Sequence, residues 1–348
     1  MRKEIMMTTI KDIANYTGVS PTTVSNVIHG RVEKVSVETK NKVERALKEL
    51  NYTSNMAGRL LAKYGSKIIG VIIQDSDALK EQFYDNPYHG ELIQALEYHI
   101  RESGYFLMFH RVANFEDGVK LIAMWDLEGV IISGATNSDI KNWQASVTIP
   151  IVFLDTYGNS EAQPLLNVGV DDFNGAYDMT VYLIEQGLTK LMFIAKGETP
   201  DDWAGVDAMR AAGVKQAVAD YHVSLELIAA PPTYRHYQEF ILSLTKRLTK
   251  DYYGVFFASD LLAVQAISEF YQHQLRIPTD VSVASFDGTP YSLYATPKLM
   301  TVYQDVNKKA ELAVQLMLKA LNSQERFSEH LLIDTELLLG ESVKKLIK

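Results

Sequence analysis

The sequence of 348 residues contains no cysteine. This absence excludes disulfide bonds and thiolate metal ligands, and it is compatible with a reducing compartment. The chain also has no apolar run approaching the roughly 18 residues that cross a bilayer. Its first residues, MRKEIMMTTIKD, lack the apolar core of a secretory signal because Lys11 and Asp12 interrupt the segment. Together these absences predict a cytoplasmic protein that has no contact with a membrane.

Familiar catalytic motifs are missing as well. The sequence has no Gly-x-Ser-x-Gly elbow, no Walker loop and no Gly-x-Gly-x-x-Gly after its first apolar strand. Six histidines are scattered without a carboxylate at metal-ligand spacing: His89, His99, His110, His222, His236 and His273. We therefore expect no enzyme, no catalytic residue, no metal site and no cofactor.

The charge is unevenly distributed along the chain. The formal net charge is −9, yet residues 1–67 hold 12 Lys and Arg against 6 Asp and Glu. The remaining residues hold 22 basic and 37 acidic side chains. A basic head on an acidic body suggests that the head meets a polyanion. A well-solvated basic head would explain the charge alone equally well.

Three short helices are predicted in the first 50 residues because apolar residues recur there at helical spacing. The three sets are Ile10, Ile13 and Ala14; Val24, Val27 and Ile28; and Val43, Leu47 and Leu50. Thr9 and Ser20 stand where helix-capping residues are expected, and Pro21 suits a first helical position. Only Thr17-Gly18-Val19-Ser20 separates the first two helices, and so short a glycine turn is typical of a helix-turn-helix.

From Lys67 onward, strand-like and helical patterns alternate. The strand-like runs are Ile68–Ile73, Tyr105–Phe109, Gly129–Ser133, Ile151–Leu154, Leu191–Ala195, Gly254–Ala258 and Val281–Phe286, with a further run at His330–Leu339. Apolar strands separated by helices predict parallel sheets that are covered on both faces. About 270 residues of this pattern exceed one sheet, so we expect two Rossmann-like lobes with a ligand cleft beyond the carboxyl ends of their strands.

Particular motifs carry a family resemblance. In the head they are Thr9-Ile10-Lys11-Asp12-Ile13-Ala14, Gly18-Val19-Ser20, Thr23-Val24-Ser25, Asn51-Tyr52, Asn55 and Arg59-Leu60-Leu61-Ala62. In the body they are Asn86-Pro87-Tyr88, Arg210-Ala211-Ala212-Gly213, Ser259-Asp260-Leu261-Leu262-Ala263 and Pro278-Thr279-Asp280-Val281-Ser282-Val283, followed by Phe286-Asp287. In this order and spacing, the chain resembles the lactose/galactose repressor (LacI/GalR) family over about residues 8 to 340.

The resemblance implies an all-α helix-turn-helix headpiece joined to an α/β body of two Rossmann-like, periplasmic-binding-protein-like lobes. The expected divisions are a headpiece at 1–52, a hinge helix and linker at 53–66, a body at 67–340 and a tail at 341–348. Within the body, the N-lobe would comprise 67–167 and 303–325. The C-lobe would comprise 168–302 and 326–340.

The resemblance assigns DNA contacts to the second helix. Base-reading side chains would stand at Pro21, Thr22 and Asn26, with Ser20 and Ser25 nearer the phosphates; Thr9 and His29 complete the predicted set in the head. Asn26 can pair bidentately with adenine. The family frequently has arginine, a guanine reader, at this position, so we expect a different operator sequence. A solvated polar residue on an exposed helix face is the alternative for Asn26.

Residues 53–62 resemble the family's hinge helix, which folds when two copies meet on DNA. Leu61 would enter a minor-groove base step, while Asn55, Arg59 and Ala62 would lie against the flanking DNA. A segment of about ten residues with Gly58 inside is a marginal helix by itself. Such a helix could be ordered or released by events in the body. The alternative for Leu61 is simple packing on the body.

The resemblance places an effector in the cleft, with Arg210 and Asp287 as its first contacts. Asp155 would line the cleft, Ser259 stands where the family often has asparagine, and Tyr234 would stack on a sugar ring. Tyr88 is a weaker candidate for stacking. The alternative for Arg210 and Asp287 is a structural ion pair, and an aromatic such as Tyr234 could equally be a core residue.

These observations predict a homodimeric repressor of a carbohydrate-utilisation operon that a small sugar releases from a palindromic operator. Two alternatives remain within the family: a global carbon-catabolite regulator whose corepressor is a phosphorylated carrier protein, and a member whose small ligand strengthens DNA binding. A periplasmic sugar-binding protein would account for the body, but it would not account for the head and hinge.

Overall fold

The computed structural model describes residues 8–28, 30–33, 35–52, 65–75, 83–157, 165–231 and 233–346. The chain divides after Ser66 into two compact units. The first unit contains the head, and the second contains both sheets. No helix in the described ranges is long and apolar enough to cross a membrane.

Three helices form the described part of the head: α1 (Ile10–Thr17), α2 (Pro21–Ile28) and α3 (Val37–Glu49). Thr9 caps α1, since its side chain accepts from the Asp12 N–H while the Asp12 carboxylate accepts from the Thr9 N–H. The predicted apolar positions meet in one small core that contains Ile13, Val24 and Val43. The pattern of three short helices is therefore confirmed.

The first sheet of the second unit has six parallel strands in the order β11-β5-β4-β3-β1-β2. They are β1 (Ile68–Gln74), β2 (Phe106–Val112), β3 (Gly129–Ser133), β4 (Ile151–Leu154), β5 (Leu166–Val170) and β11 (Glu329–Ile333). Helices α4 (Pro87–Glu102) and α12 (Val306–Asn322) pack on one face of this sheet. Helices α5 (Phe115–Trp125) and α6 (Asn137–Ser146) cover the other. These elements form the N-lobe.

The second sheet has the order β12-β10-β9-β8-β6-β7, and β12 is antiparallel to β10. Its strands are β6 (Lys190–Lys196), β7 (Ser224–Ala230), β8 (Gly254–Phe257), β9 (Ser282–Asp287), β10 (Met300–Tyr303) and β12 (Glu336–Leu338). Helices α7 (Asp172–Glu185) and α8 (Gly205–Tyr221) pack on one face, and α9 (Tyr234–Leu248) and α10 (Asp260–Gln272) on the other. The short α11 (Pro290–Tyr294) follows β9. These elements form the C-lobe.

Helices α7 and α8 approach closely because Gly213 has no side chain. A Cβ at this position would lie 2.2 Å from the carbonyl oxygen of Phe173. The close contact fixes α8 against the start of α7, and it thereby places Arg210 of α8 beside Asp172. The fold thus explains one glycine of the Arg-Ala-Ala-Gly motif.

The chain crosses between the lobes three times: from β5 to α7, from β10 to α12, and from β11 to β12. The predicted fold class, a helix-turn-helix head with two parallel α/β lobes, is confirmed.

The predicted lobe boundaries need correction. At the first two crossings the change is small, because residues 168–170 belong to β5 of the N-lobe and Tyr303 belongs to β10 of the C-lobe. Residues 326–340 were assigned to the C-lobe, but Glu329–Ile333 pairs with Leu166–Val170 in the sheet of the N-lobe. Only Glu336–Leu338 joins the second sheet. The apolar run His330–Leu339 is therefore two strands separated by the third crossing. An apolar pattern predicts a strand but not its partner, because pairing depends on contacts distant in sequence.

Candidate functional sites in the head and in the interlobe cleft

The turn between α1 and α2 is built from local contacts. Gly18 ends α1 with a φ of 66°, in the left-handed region that favours glycine. The Thr17 hydroxyl donates to the Ile13 carbonyl at 2.6 Å, which satisfies an acceptor in the last turn. Ser20 Oγ then accepts from the Thr23 N–H at 3.1 Å and caps α2. Only three residues consequently separate the end of α1 from the start of α2.

Helix α2 has one buried and one open side. Val24 and Val27 are buried in the head core. Pro21 and Thr22 are exposed at the N-terminal end of the helix, and Ser25 and Asn26 are partly exposed. The open side therefore presents the predicted base-reading side chains at the end of α2 that a recognition helix points into the major groove.

The second candidate site is a cavity of about 750 Å³ between the two lobes. Polar residues at or just beyond the carboxyl ends of strands line it, as the parallel sheets predict. In the N-lobe these residues are Asp75, Ser133 and Asp155, and in the C-lobe they are Lys196, Ser259 and Asp287. Further lining comes from helix starts, including Tyr88, His89, Asp207 and Arg210.

Arg210 is the central cation of the C-lobe wall. Its Nε donates to Asp172 Oδ1 at 2.6 Å, and its Nη1 donates to Asp287 Oδ1 at 3.3 Å and to the Ala258 carbonyl at 2.5 Å. Burial opposes the charge of Arg210, but the carboxylates of Asp172 and Asp287 outweigh this effect and raise its pKa above the usual value. The guanidinium is therefore permanently charged and rigidly held.

Asp287 lines the cavity at the end of β9. Burial raises the pKa of Asp287 to about 7, even though Arg210 acts in the opposite direction. Gln304 donates from Nε2 to Asp287 Oδ1 at 2.8 Å. Near neutral pH, Asp287 is therefore present in both its ionised and its protonated form. Its carboxyl group can accept a hydrogen bond in either form and can donate one when it is protonated.

Asp155 lies in the N-lobe wall, on a fully buried lysine. Lys309 of α12 donates from Nζ to Asp155 Oδ2 at 2.7 Å, to Gln304 Oε1 at 2.9 Å and to the Tyr88 hydroxyl at 3.1 Å. Tyr88 in turn donates to Asp155 Oδ2 at 3.1 Å. Since Gln304 also contacts Asp287, a continuous chain of polar contacts connects the two lobes beneath the cavity.

An aromatic stack stands at the N-lobe side of the cavity. The rings of Phe83 and His89 are parallel, with centroids 4.0 Å apart, and the Arg111 guanidinium lies 4.3 Å from the Phe83 centroid. Burial lowers the pKa of His89, while its contact with the Phe83 carbonyl opposes this shift. Burial therefore favours the neutral form of the His89 ring.

Two family models match this chain. The model described as "Bacterial regulatory proteins, lacI family" matches residues 9–55, and the one described as "Periplasmic binding protein-like domain" matches residues 180–343. Together they cover more than half of the sequence. The chain belongs to the LacI family.

Relatives of this LacI-family chain match over nearly their whole length. A regulator named MalR from Clostridium butyricum is 29% identical over 96% of this chain and 98% of the relative. A repressor named PurR from Histophilus somni is 28% identical over 98% of this chain and 100% of the relative. The Lac repressor dimer bound to operator and an anti-inducer has the same fold, with a TM-score of 0.79, 23% identity, and coverage of 97% and 99%. The structure titled as a CelR–cellobiose complex has a TM-score of 0.70, 22% identity, and coverage of 96% and 99%.

The structure locates most of the predicted site residues of the LacI-family head. Thr9 and Ser20 serve as helix caps, and Pro21, Thr22, Ser25 and Asn26 lie along α2 as described above. The predicted contacts His29, Asn55, Arg59, Leu61 and Ala62 lie outside the described residues.

Five of the six predicted effector residues come together at the cavity: Tyr88, Asp155, Arg210, Ser259 and Asp287. Arg210 and Asp287 do form the ion pair that was considered as their alternative role. Ser259 caps α10 through the Leu262 N–H at 3.4 Å. Tyr234 begins α9, but its side chain lies outside the described residues. The ligand roles of all six remain predictions.

The sequence analysis missed three residues that organise the cleft: Asp172, Gln304 and Lys309. Asp172 and Lys309 are fully buried. The local pattern did not indicate that Lys309 is buried. It follows Lys308 on an amphipathic helix, where both lysines resemble solvated residues. For Asp172 and Gln304 one signal was available, because each lies at a strand-to-helix junction. Asp172 opens α7, and Gln304 precedes α12.

Proposed function

We propose that this LacI-family chain is a homodimeric repressor that binds a palindromic operator and is released by a small sugar. The regulated genes would be those of a carbohydrate-utilisation operon. The proposal rests on the presence of two features in one chain. One is a helix-turn-helix whose second helix, α2, has an exposed side, and the other is a cavity of about 750 Å³ between two lobes.

The exposed N-terminal end of α2 supports DNA reading. Pro21 and Thr22 are available there, and Asn26 follows one turn later on the same helix. The amide of Asn26 can pair with adenine, and the Thr22 hydroxyl or methyl can contact a base edge. The Lac repressor, which has this fold, is titled as a dimer bound to operator. A dimer of this chain would read two half-sites related by two-fold symmetry.

The polar groups of the cavity support a polyhydroxylated effector. Asp155 and Asp287 can accept hydrogen bonds from hydroxyl groups, and Arg210, which contacts Asp287, is a fixed donor in the cavity lining. The His89 ring, which stacks on Phe83, adds a flat surface at the N-lobe side of the cavity. Solved structures with this fold are described as complexes with cellobiose, ribose and D-xylulofuranose. We extend this ligand chemistry to the present chain.

The two lobes would couple effector binding in the cavity to the operator affinity of the head. A ligand that contacts Arg210 and Asp287 on one side and Asp155 on the other would be held by both lobes and would favour their closure. The altered relation of the lobes would change the dimer and release residues 53–62 from DNA. A tenfold loss of operator affinity requires only about 1.4 kcal/mol of coupling, within the usual range of about 1–3 kcal/mol.

The test is selection of tightly bound duplexes from a random DNA pool, repeated with a panel of sugars and sugar phosphates. We expect a palindromic consensus whose enrichment is lost when one panel compound is added. Enrichment that appears only when a compound is added would reverse the sign of the effector. Absence of enrichment under every condition would contradict the DNA-reading proposal.

A further inference from the structure

The charged side chains of the cleft are nearly balanced, with carboxylates in slight excess. The described wall carries Asp75, Arg111, Asp155, Lys196, Asp207, Arg210 and Asp287. Directly behind it, Asp172 contacts Arg210 and Lys309 contacts Asp155. Among the described residues, five carboxylates thus face four cations. Counted as formal charges, these described side chains therefore carry no net positive charge.

Three of these four cations form ion pairs with carboxylates in the wall or directly behind it. Arg111 Nη2 lies 3.2 Å from Asp75 Oδ2, and Lys309 Nζ lies 2.7 Å from Asp155 Oδ2. Arg210 contacts both Asp172 and Asp287. Burial raises the pKa of Asp207 to about 6, against the opposing charges of Arg210 and, to a smaller extent, Lys196. To bind a phosphate, any of the three paired cations would have to exchange its carboxylate for the ligand.

Three of the four helix starts around the cavity, those of α4, α6 and α10, are capped by a side chain: Asn86, Thr136 and Ser259. Helix N-termini attract anions because their N–H groups lack partners within the helix. Here α6, α8 and α10 carry acidic residues in their first turns: Asp139, Asp207 and Asp260. At α4, the side chain and carbonyl of Asn86 accept from the N–H groups of Tyr88 and His89. At α8 no side chain caps the first N–H groups, and the Asp207 carboxyl group supplies the negative charge of the first turn instead.

We propose that the cleft selects an uncharged polyhydroxyl ligand and discriminates against the phosphorylated form of the same compound. The inference rests on the proposed effector function of this cleft. Sugar hydroxyls can donate to Asp155 and Asp287 and accept from Arg210 without altering the charge of the wall. A phosphate adds about two negative charges where carboxylates already predominate.

The first experiment measures thermal unfolding of the full-length protein with matched probes at constant ionic strength. The probes are glucose and glucose 6-phosphate, maltose and maltose 6′-phosphate, cellobiose and cellobiose 6′-phosphate, and inorganic phosphate. We expect the neutral member of any pair that binds to have at least tenfold higher affinity. No stabilisation by inorganic phosphate beyond that of chloride is expected. Preferential binding of a phosphorylated member would overturn the inference.

The second experiment creates the missing anion site. Asp75→Asn removes the carboxylate that faces Arg111, and we expect this variant to gain stabilisation by millimolar inorganic phosphate. Asp117→Asn is the matched control, because it removes the same charge from an exposed pair with Lys120 in the same lobe. If Asp75→Asn does not fold, Asp155→Asn tests the same point at Lys309. Equal phosphate binding by the wild type and the cleft variant would refute the inference.

The two proposals fail in different ways. If the duplex selection yields no operator and no neutral sugar binds, the proposed function fails, whatever phosphate does. If an operator is found but its release requires a phosphorylated sugar, the proposed function stands and the inference about charge is wrong.

Discussion

Arg210 combines two roles at the scale of a single residue. Its guanidinium lies between Asp172 and Asp287, and it also lies 3.7 Å from the centroid of Phe286. The planar fork of arginine can serve both carboxylates and still present a donor to a ligand, which a lysine cannot do. The ion pair and the predicted effector contact are therefore compatible functions of one side chain.

Arg210→Lys keeps the positive charge at this position but removes the planar fork of the guanidinium, so it tests which of the two the effector response needs. We expect at least a tenfold higher sugar concentration for operator release, equivalent to about 1.4 kcal/mol, because the ammonium cannot contact both carboxylates and the sugar. Fluorescence anisotropy of labelled operator, titrated with the identified sugar, measures this. Arg276→Lys, in an exposed Arg–Asp pair, is the control and should leave release unchanged. Normal release by the Arg210 variant would remove it from the effector site.

Lys309 should be important for stability because it is fully buried and charged. Lys309→Met leaves the Asp155 carboxylate with Tyr88 as its remaining described partner, so the free energy of unfolding should fall by about 3–5 kcal/mol. Urea unfolding provides the measurement. Adding Asp155→Asn should recover part of the loss, whereas Lys308→Met on the same helix should change stability by less than about 0.5 kcal/mol. An additive double variant would show that the pair is not coupled.

Asp287 should make sugar binding depend on pH. Its pKa is raised to about 7 by burial and by Asp260 and Asp172, against the opposing effects of Arg210 and Gln304. An ionised carboxylate accepts more strongly from sugar hydroxyls, so affinity should fall as the pH decreases through 7 and Asp287 takes up a proton. Calorimetry between pH 6 and 8 tests this. Asp287→Asn should bind more weakly with little pH dependence, and a flat wild-type profile would contradict the assignment.

At the scale of elements, α2 shows how closely local patterns determined the head. Its cap, its first proline and its two buried valines were all predicted from spacing and residue type. Short-range contacts suffice for such helices, because caps and apolar periodicity act within one or two turns. This is why the head was predicted more completely than the lobes.

Asn26→Ala tests whether α2 recognises the bases of the operator. We expect discrimination at one base position of the operator to relax by about 1–3 kcal/mol, with little effect at the other positions. Competitive binding of single-base operator variants measures the change. Asn41→Ala, at an exposed position of α3, is the control. If base preference is the same with and without the Asn26 amide, this residue does not read DNA.

Elements of the lobes were predicted unevenly. Strand β5 was missed because Asn167 and Gly169 interrupt its apolar run, although every residue of the strand is buried. The Asn167 side chain accepts from the Thr156 N–H, a contact that sequence patterns do not reveal. Strand β7 alternates weakly, and β10 has only four residues. Likewise, the positions of Arg210 and Asp287 followed from motifs, whereas the partnership of Asp155 with Lys309 depends on residues 154 positions apart.

At the scale of the whole molecule, two heads should act together on DNA. Each phosphate contact contributes roughly −0.9 to the slope of log affinity against log salt concentration. A palindromic operator should therefore show about twice the slope of a single half-site. Anisotropy titrations between 50 and 200 mM salt compare the two. Equal slopes would indicate that only one head of the dimer contacts the operator.

The three crossings between the lobes have a consequence for synthesis. The N-lobe needs α12 and β11, which are made only after most of the C-lobe, and the C-lobe sheet needs β12 at Glu336–Leu338. Domains ordinarily fold in succession as the chain leaves the ribosome. Here the head can fold early, but the N-lobe must wait for β11 and the C-lobe for β12. A nascent or prematurely terminated polypeptide would therefore carry a DNA-binding head before it has a complete effector site.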